Sequence, residues 1–228
     1  MSRSPAELLL ALAAAEWDEL GRSQLGRAIV GRRFAGGAAP TAVFFGAIHG
    51  DEPLGACCLL RLADELAARA EPLARTVWLV PVVNPDGLIA GTKDNARGID
   101  LNRNWPARNF TREHPPGYAP GEHPLSEPET RTLAGLIHAA HATRLIALHS
   151  PFRTVNWDGA GAALAERMAR ANGYGATDDI GYATPGSFGS YHGKDLGREV
   201  ITLEIPPLSP EAAWQENRAA LLVAVDGP

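Results

Sequence analysis

His49 and Glu52 stand three residues apart in the segment His49-Gly50-Asp51-Glu52, directly after the apolar run Thr41 to Ile48. An imidazole and a carboxylate at that spacing, on a turn from strand to helix, can both face one metal ion. Ligands gather at the carboxyl ends of strands in open α/β sheets, so the location adds to the spacing. An isolated HxxE pair is common by chance; the corroboration is His149, which follows the apolar run Leu145 to Leu148 and is expected at the same sheet edge. Two histidines and one glutamate leave a coordination position open for water or a substrate carbonyl, whereas a structural zinc site fills all four, usually with cysteine. Cys57 and Cys58 read instead as small core residues of the following helix.

Two further segments carry polar groups suited to chemistry. Glu204 lies inside Val200-Ile201-Thr202-Leu203-Glu204-Ile205, where an unpartnered carboxylate is unfavourable to bury. It is either a salt-bridged edge-strand residue or a general base that takes a proton from water at the metal and passes it to a leaving amine. Asp100-Leu101-Asn102-Arg103-Asn104 sets a carboxylate, amides and a guanidinium side by side. Arg103 with Asn102 can grip a substrate carboxylate through the guanidinium fork, and Asp100 can accept the second N–H of His49. Without the His/Glu/His set, the same stretch reads as a polar loop folded on its own side chains.

The elements that must position these groups alternate. Arg27 to Phe34 and Thr41 to Ile48 read as strands separated by a Gly36-Gly37 turn, and Thr76 to Val83, Leu145 to Leu148 and Val200 to Ile205 as further strands. Pro53 to Ala70, Glu129 to Ala142 and Gly159 to Asn172 read as helices, and residues 1–20 hold an N-terminal helix whose polar end is Glu16 to Glu19. Asn84-Pro85-Asp86-Gly87 has the residue types of a turn. Residues 105–128 form a proline-rich rim loop ending at Ser126, which is placed to cap the next helix with Glu129 reaching back. The expectation is one α/β domain over residues 1–228, with a mixed, mostly parallel central sheet and helices on both faces. Trp105 is the aromatic expected to line the cleft, while His114, His123, His138, His141 and His192 read as rim or solvated residues.

Charge and cysteine usage restrict the function classes. Against 26 Asp plus Glu the chain has 21 Lys plus Arg, a formal charge of -5, so no global basic field holds nucleic acid or an anionic membrane. Leu8 to Ala15 is too short to span a bilayer, and with Arg3 alone before Glu7 it is a poor export signal. Two adjacent cysteines support no disulfide framework, so a reducing, cytoplasmic setting is expected.

The motifs HGDE, NPDG, DLNRNWP, ALHS and ITLEIPP, in this order, resemble the zinc carboxypeptidases of the carboxypeptidase A type over roughly Gly21 to Val223. Within that family the stretches GYATPGSFGS and EIPP are similar to those of the bacterial murein tripeptide amidases. The resemblance implies one zinc per chain held by His49, Glu52 and His149, with Glu204 as general base. It implies that Asn102 and Arg103 hold the substrate's free carboxylate and that Tyr182 is the mobile tyrosine covering bound substrate. Where the family usually polarises the scissile carbonyl with an arginine, this chain has Lys93, with Arg97 as a substitute. Phe188, near where side-chain preference is set, argues against a simple basic-residue carboxypeptidase. The implied reaction is hydrolysis of the amide between γ-D-glutamate and meso-diaminopimelate in a small acidic murein peptide, a step of cell-wall peptide recycling. Alternatives are a zinc carboxypeptidase of other C-terminal residues, a deacylase resembling aspartoacylase and succinylglutamate desuccinylase, or a non-catalytic relative. The full DLNRNWP segment favours the peptidase branch, and the presence of all four of His49, Glu52, His149 and Glu204 speaks against the last.

Overall fold

The inner strands are apolar on both faces, which only a sheet covered on both sides can satisfy. In the computed structural model, which describes residues 4–13 and 16–227, seven strands form that sheet: β1 (Asp18–Arg22), β2 (Ala28–Gly46), β3 (Leu73–Val80), β4 (Arg144–His149), β5 (Thr154–Gly159), β6 (Gly175–Thr177) and β7 (Glu199–Glu204). The helices are α1 (Pro5–Leu12), α2 (Pro53–Ala68), α3 (Pro85–Ala90), α4 (Pro128–Ala139), α5 (Ala162–Asn172) and α6 (Pro210–Asp226). β4 runs parallel to both β2 and β7, while β1 is antiparallel to β2 and β5 antiparallel to β7, so the sheet is mixed.

Side-chain alternation along the strands divides the interior into two layers. Phe44 of β2, Ile146 and Leu148 of β4, and Ile201 and Leu203 of β7 pack with residues of α2, α5 and α6. Val43 and Phe45, Leu145 and Ala147, and Val200 turn the other way, to α4, Leu101, Trp105 and Phe188. Among the described residues no helix is long and apolar enough to cross a membrane.

The two strands expected at Arg27–Phe34 and Thr41–Ile48 are one continuous strand that changes sides of β3. Pairings descend along β3 from Arg32 opposite Leu79 to Phe34 opposite Val77, then ascend from Ala42 opposite Val77 to Phe45 opposite Val80. The expected Gly36-Gly37 turn is therefore the crossing around the start of β3, where a Cβ on Gly36 would overlap the Arg75 backbone.

Other expectations also change. The N-terminal helix stops at Leu12, although Ser4 and Glu7 cap its start reciprocally; Ala14 and Ala15 lie outside the described residues. Asp18 to Arg22 instead pair with Ala28 to Gly31 in a hairpin closed at Ser23–Gly26, and this pairing outweighs the polar appearance of the segment. A strand not foreseen, β5, precedes α5, which starts at Ala162 rather than Gly159. Asn84 to Gly87 opens a helix rather than closing a turn: the Asn84 side-chain oxygen accepts the Gly87 N–H, and Pro85 takes the first helical position. α4 is entered through Glu127, not Ser126, whose hydroxyl donates to Glu127; Glu129 accepts from the Gln24 backbone and the Asn95 amide instead of reaching back. Trp105 is fully buried rather than part of the exposed rim.

The parallel strands bring their ends to one edge. His149 and Glu204 close β4 and β7 directly opposite each other in register, and His49 follows the end of β2. The turn between β2 and α2 is tight: Ala47 adopts φ 43°, a conformation uncommon for a residue with a side chain. A Cβ on Gly50 would overlap the Gly87 backbone at the start of α3. Gly50→Ala is therefore expected to force the His49–Glu52 turn away from α3, lowering both the thermal midpoint and the zinc content. Differential scanning calorimetry with metal analysis checks this, and normal values for both would refute the packing argument.

Candidate active site

Nδ1 of His49 lies 2.8 Å from Oε1 of Glu52, and Nδ1 of His149 lies 2.9 Å from Oε2 of the same carboxylate. Donor atoms of the three residues fall within 4.8 Å of one another. One zinc ion with bonds of about 2 Å draws such a set together with small side-chain shifts. Two imidazole nitrogens and a carboxylate are also the donor chemistry of a catalytic rather than a structural zinc site, so the residues fit the ion. Glu52 precedes α2 without capping it; its Oε2 also accepts the Ser150 N–H at 3.1 Å. The other ring nitrogen of His49, Nε2, sits 3.1 Å from Oδ1 of Asp100, which fixes the ring's orientation.

Asp100 is fully buried. Its Oδ1 also accepts the Asn102 N–H at 2.8 Å, and its Oδ2 accepts from Nζ of Lys93 at 2.6 Å. Burial opposes charge on His49, yet hydrogen bonds and charge from Asp100 and Glu52 outweigh it and hold the imidazolium up to about 9. Burial pushes Glu52 upward, but the two histidines draw it down to about 2. Asp100, also desolvated, is held well below the carboxylate range by His49, with Arg103 and Lys93 contributing.

His49, Glu52, His149 and Lys93 line a cleft of about 280 Å³ that also takes in Asn102, Arg103, Tyr182, Phe188 and Glu204, with Asp100 buried behind it. The Asn102 side-chain oxygen accepts the Phe188 N–H at 3.0 Å, which leaves its amide N–H groups for the cleft. Arg103 is buried, with Nη1 donating to the Asn102 carbonyl at 2.9 Å and its guanidinium 5.1 Å from the Tyr118 ring centre. Among the described residues no carboxylate forms an ion pair with it. Glu204 is buried, its Oε2 has no hydrogen-bond partner, and desolvation raises its proton affinity. Tyr182 stands half exposed at the rim, and Phe188 packs edge-on against Phe45 and Trp105 at 4.7 and 4.9 Å.

Not every expected residue belongs to the cleft. Arg97 is turned to Glu127 and Glu122, at 3.4 and 3.6 Å, and lies outside the lining. Lys93 does line it, but Nζ is held by Asp100 and by the Gly117 carbonyl, over the Tyr118 ring. Trp105 sits behind Phe188 rather than in the lining, beside His192. His192, expected at the rim, is buried, its Nδ1 faces Arg198 at 3.1 Å, and burial followed by that guanidinium lowers it to about 3. Asn156 and Asp158 of β5, Thr202 of β7 and Lys194 also line the cleft; for the first two, the sequence signal is hidden because β5 does not have an apolar strand pattern.

The chain has relatives among known proteins. The zinc carboxypeptidase family matches residues 13–198, and the chain belongs to that family, a group of zinc-dependent peptide-bond hydrolases. Murein peptide amidase A of Escherichia coli K12 is 33% identical over 216 residues, spanning 90% of this chain and 87% of that protein. The crystal structure of murein-tripeptide amidase MpaA from Escherichia coli O157 superimposes with a TM-score of 0.78 at 30% identity, covering 100% of this chain and 98% of that one. Carboxypeptidase A from Helicoverpa armigera, at 17% identity, TM-score 0.80 and coverage of 98% and 72%, shares the fold.

The electrostatics generate a pH dependence. Zinc must displace the proton that the metal-free site holds on His49 up to about 9, so affinity rises with pH until that proton is gone and falls about tenfold per unit below it. Isothermal titration at pH 6, 7 and 8 in buffers of different ionisation enthalpy is expected to show tightening with pH and release of one proton. Affinity independent of pH over that range would contradict the assignment.

Proposed function

We propose that this chain hydrolyses the amide between γ-D-glutamate and meso-diaminopimelate in murein tripeptide, in the cytoplasm, as a step of cell-wall peptide recycling. The observation that carries the reading is Arg103, a buried guanidinium beside the metal donors that forms no ion pair with a carboxylate among the described residues. A cation left so is unfavourable until an anion arrives. The free carboxylate of the departing residue supplies that anion, with the Asn102 amide as a second donor. Similarity to the murein amidases supports the substrate class, and a sequence whose two cysteines are adjacent, giving no disulfide framework, supports the compartment.

In this reading His49, Glu52 and His149 hold the zinc and Asp100 keeps His49 oriented. Bound zinc supplies Lewis acidity, polarising the scissile carbonyl and making water more acidic. Glu204 would accept a proton from the water as the carbon–oxygen bond forms and then return it to the departing nitrogen, so that the carbon–nitrogen bond breaks to leave a neutral amine and the protons balance. Lys93 adds positive charge near the carbonyl, Tyr182 covers the bound peptide, and Phe188 forms an apolar wall. A carboxypeptidase acting on other C-terminal residues would use Arg103 in the same way, so the substrate decides between them.

Incubation with L-Ala-γ-D-Glu-meso-diaminopimelate is expected to release free diaminopimelate, to stop on chelation and to resume with added zinc. Glu204→Gln should still bind zinc while turnover falls about 10²- to 10⁴-fold. Release of only ordinary C-terminal amino acids from peptides would overturn the murein reading, and full activity in Glu204→Gln would overturn the base.

A further inference from the structure

The cleft has a second charged end away from the metal donors. Across the antiparallel ladder of β5 and β7, Thr154 opposes Glu204, Asn156 opposes Thr202 and Asp158 opposes Val200. Asp158 thus lies four residues along the ladder from the row of Glu204, about 13 Å at the rise of a strand. Between the two ends the lining includes Ala147, Thr202 and Asn156, short side chains that leave a channel from the metal donors to Asp158.

The far end is built around that carboxylate. A π-helical turn, Gly189–Asp195, packs over it, and a Cβ on either Gly189 or Gly193 would overlap the Asp158 side chain. Lys194 of the same turn brings Nζ to 3.3 Å from Oδ1, with its side chain 59% exposed against 12% for Asp158. That separation is long for a charge-assisted hydrogen bond, and Lys194 is the one charged group paired with Asp158 among the described residues. Burial raises the proton affinity of Asp158, which Lys194 only partly offsets. A shielded carboxylate held loosely by a solvent-exposed lysine can exchange partners without leaving either charge buried alone.

We propose that Asp158 and Lys194 select the departing residue by reading a zwitterionic end on its side chain: Asp158 accepts hydrogen bonds from the ammonium, and Lys194 pairs with the carboxylate. The inference rests on the amidase reading, in which Asn102 and Arg103 take the α-carboxylate and the side chain runs down the channel. Diaminopimelate carries both charges at its far end, lysine only the ammonium, and norleucine neither.

The test uses three tripeptides, L-Ala-γ-D-Glu followed by meso-diaminopimelate, L-lysine or L-norleucine, with the zinc-loaded chain. The expected kcat/KM falls in that order, about 10-fold or more per lost charged contact. In Lys194→Met the ratio of diaminopimelate to lysine substrate collapses toward one, and in Asp158→Asn the ratio of lysine to norleucine does so. Zinc content and thermal midpoint are measured on both variants; if Asp158→Asn does not fold, the substrate series on the unmodified chain and on Lys194→Met decides. Release of diaminopimelate with no preference among the three peptides, or with a ratio unmoved by Lys194→Met, overturns the inference and leaves the amidase reading standing. Turnover of none of the three overturns both.

Discussion

The carboxylate of Asp100 is fully buried and answers three donors from separate parts of the chain: the His49 ring, the Asn102 backbone and the Lys93 ammonium. Stripping a carboxylate of water is unfavourable by several kcal/mol even after relaxation, so the charge is tolerable only while its partners stay in place. This one group therefore ties the orientation of a metal ligand to the loop that presents Asn102 and Arg103 and to a cation in the same cleft. Moving any of them leaves the others incompletely satisfied.

Around that anchor the sheet does the positioning. Parallel pairing puts the ends of β2, β4 and β7 at one edge, and register sets Glu204 beside His149. Among the described residues two groups there lack what folding usually supplies: a proton or donor for Oε2 of Glu204, and an ion-paired carboxylate for the buried Arg103. Unsatisfied buried groups are few in folded proteins and ask for a reason. In the proposed reaction the substrate brings a carboxylate to Arg103 and, with water, a proton to Glu204. The two apolar layers on either side of the sheet hold these groups at fixed separation.

What could be read from the sequence follows from the range of the interactions. HGDE was legible because both donors sit on one short turn, and His149 and Glu204 because apolar parallel strands advertise their ends. The Asp100 contact with His49 was legible as chemistry, though it spans 51 residues. β5 was not, because one face of Thr154–Gly159 lines the cleft and so carries Asn156 and Asp158 in place of apolar residues. Losing that strand hid the far end of the cleft. Likewise Asp18–Arg22 is a strand only through its hairpin partner, and His192 and Trp105 look like rim residues until the π-helical turn and Phe188 close over them. Arg97 was placed by proximity in sequence, which says nothing of its pull toward Glu127.

The central claim is that one zinc ion is held by His49, Glu52 and His149 with an open position. X-ray absorption at the zinc edge of the singly loaded chain tests it directly. The account predicts a shell of nitrogen and oxygen at about 2.0–2.2 Å, with imidazole scattering from two histidines that falls to one in His149→Ala. A sulfur shell at about 2.3 Å, or a spectrum unchanged by that substitution, would contradict it.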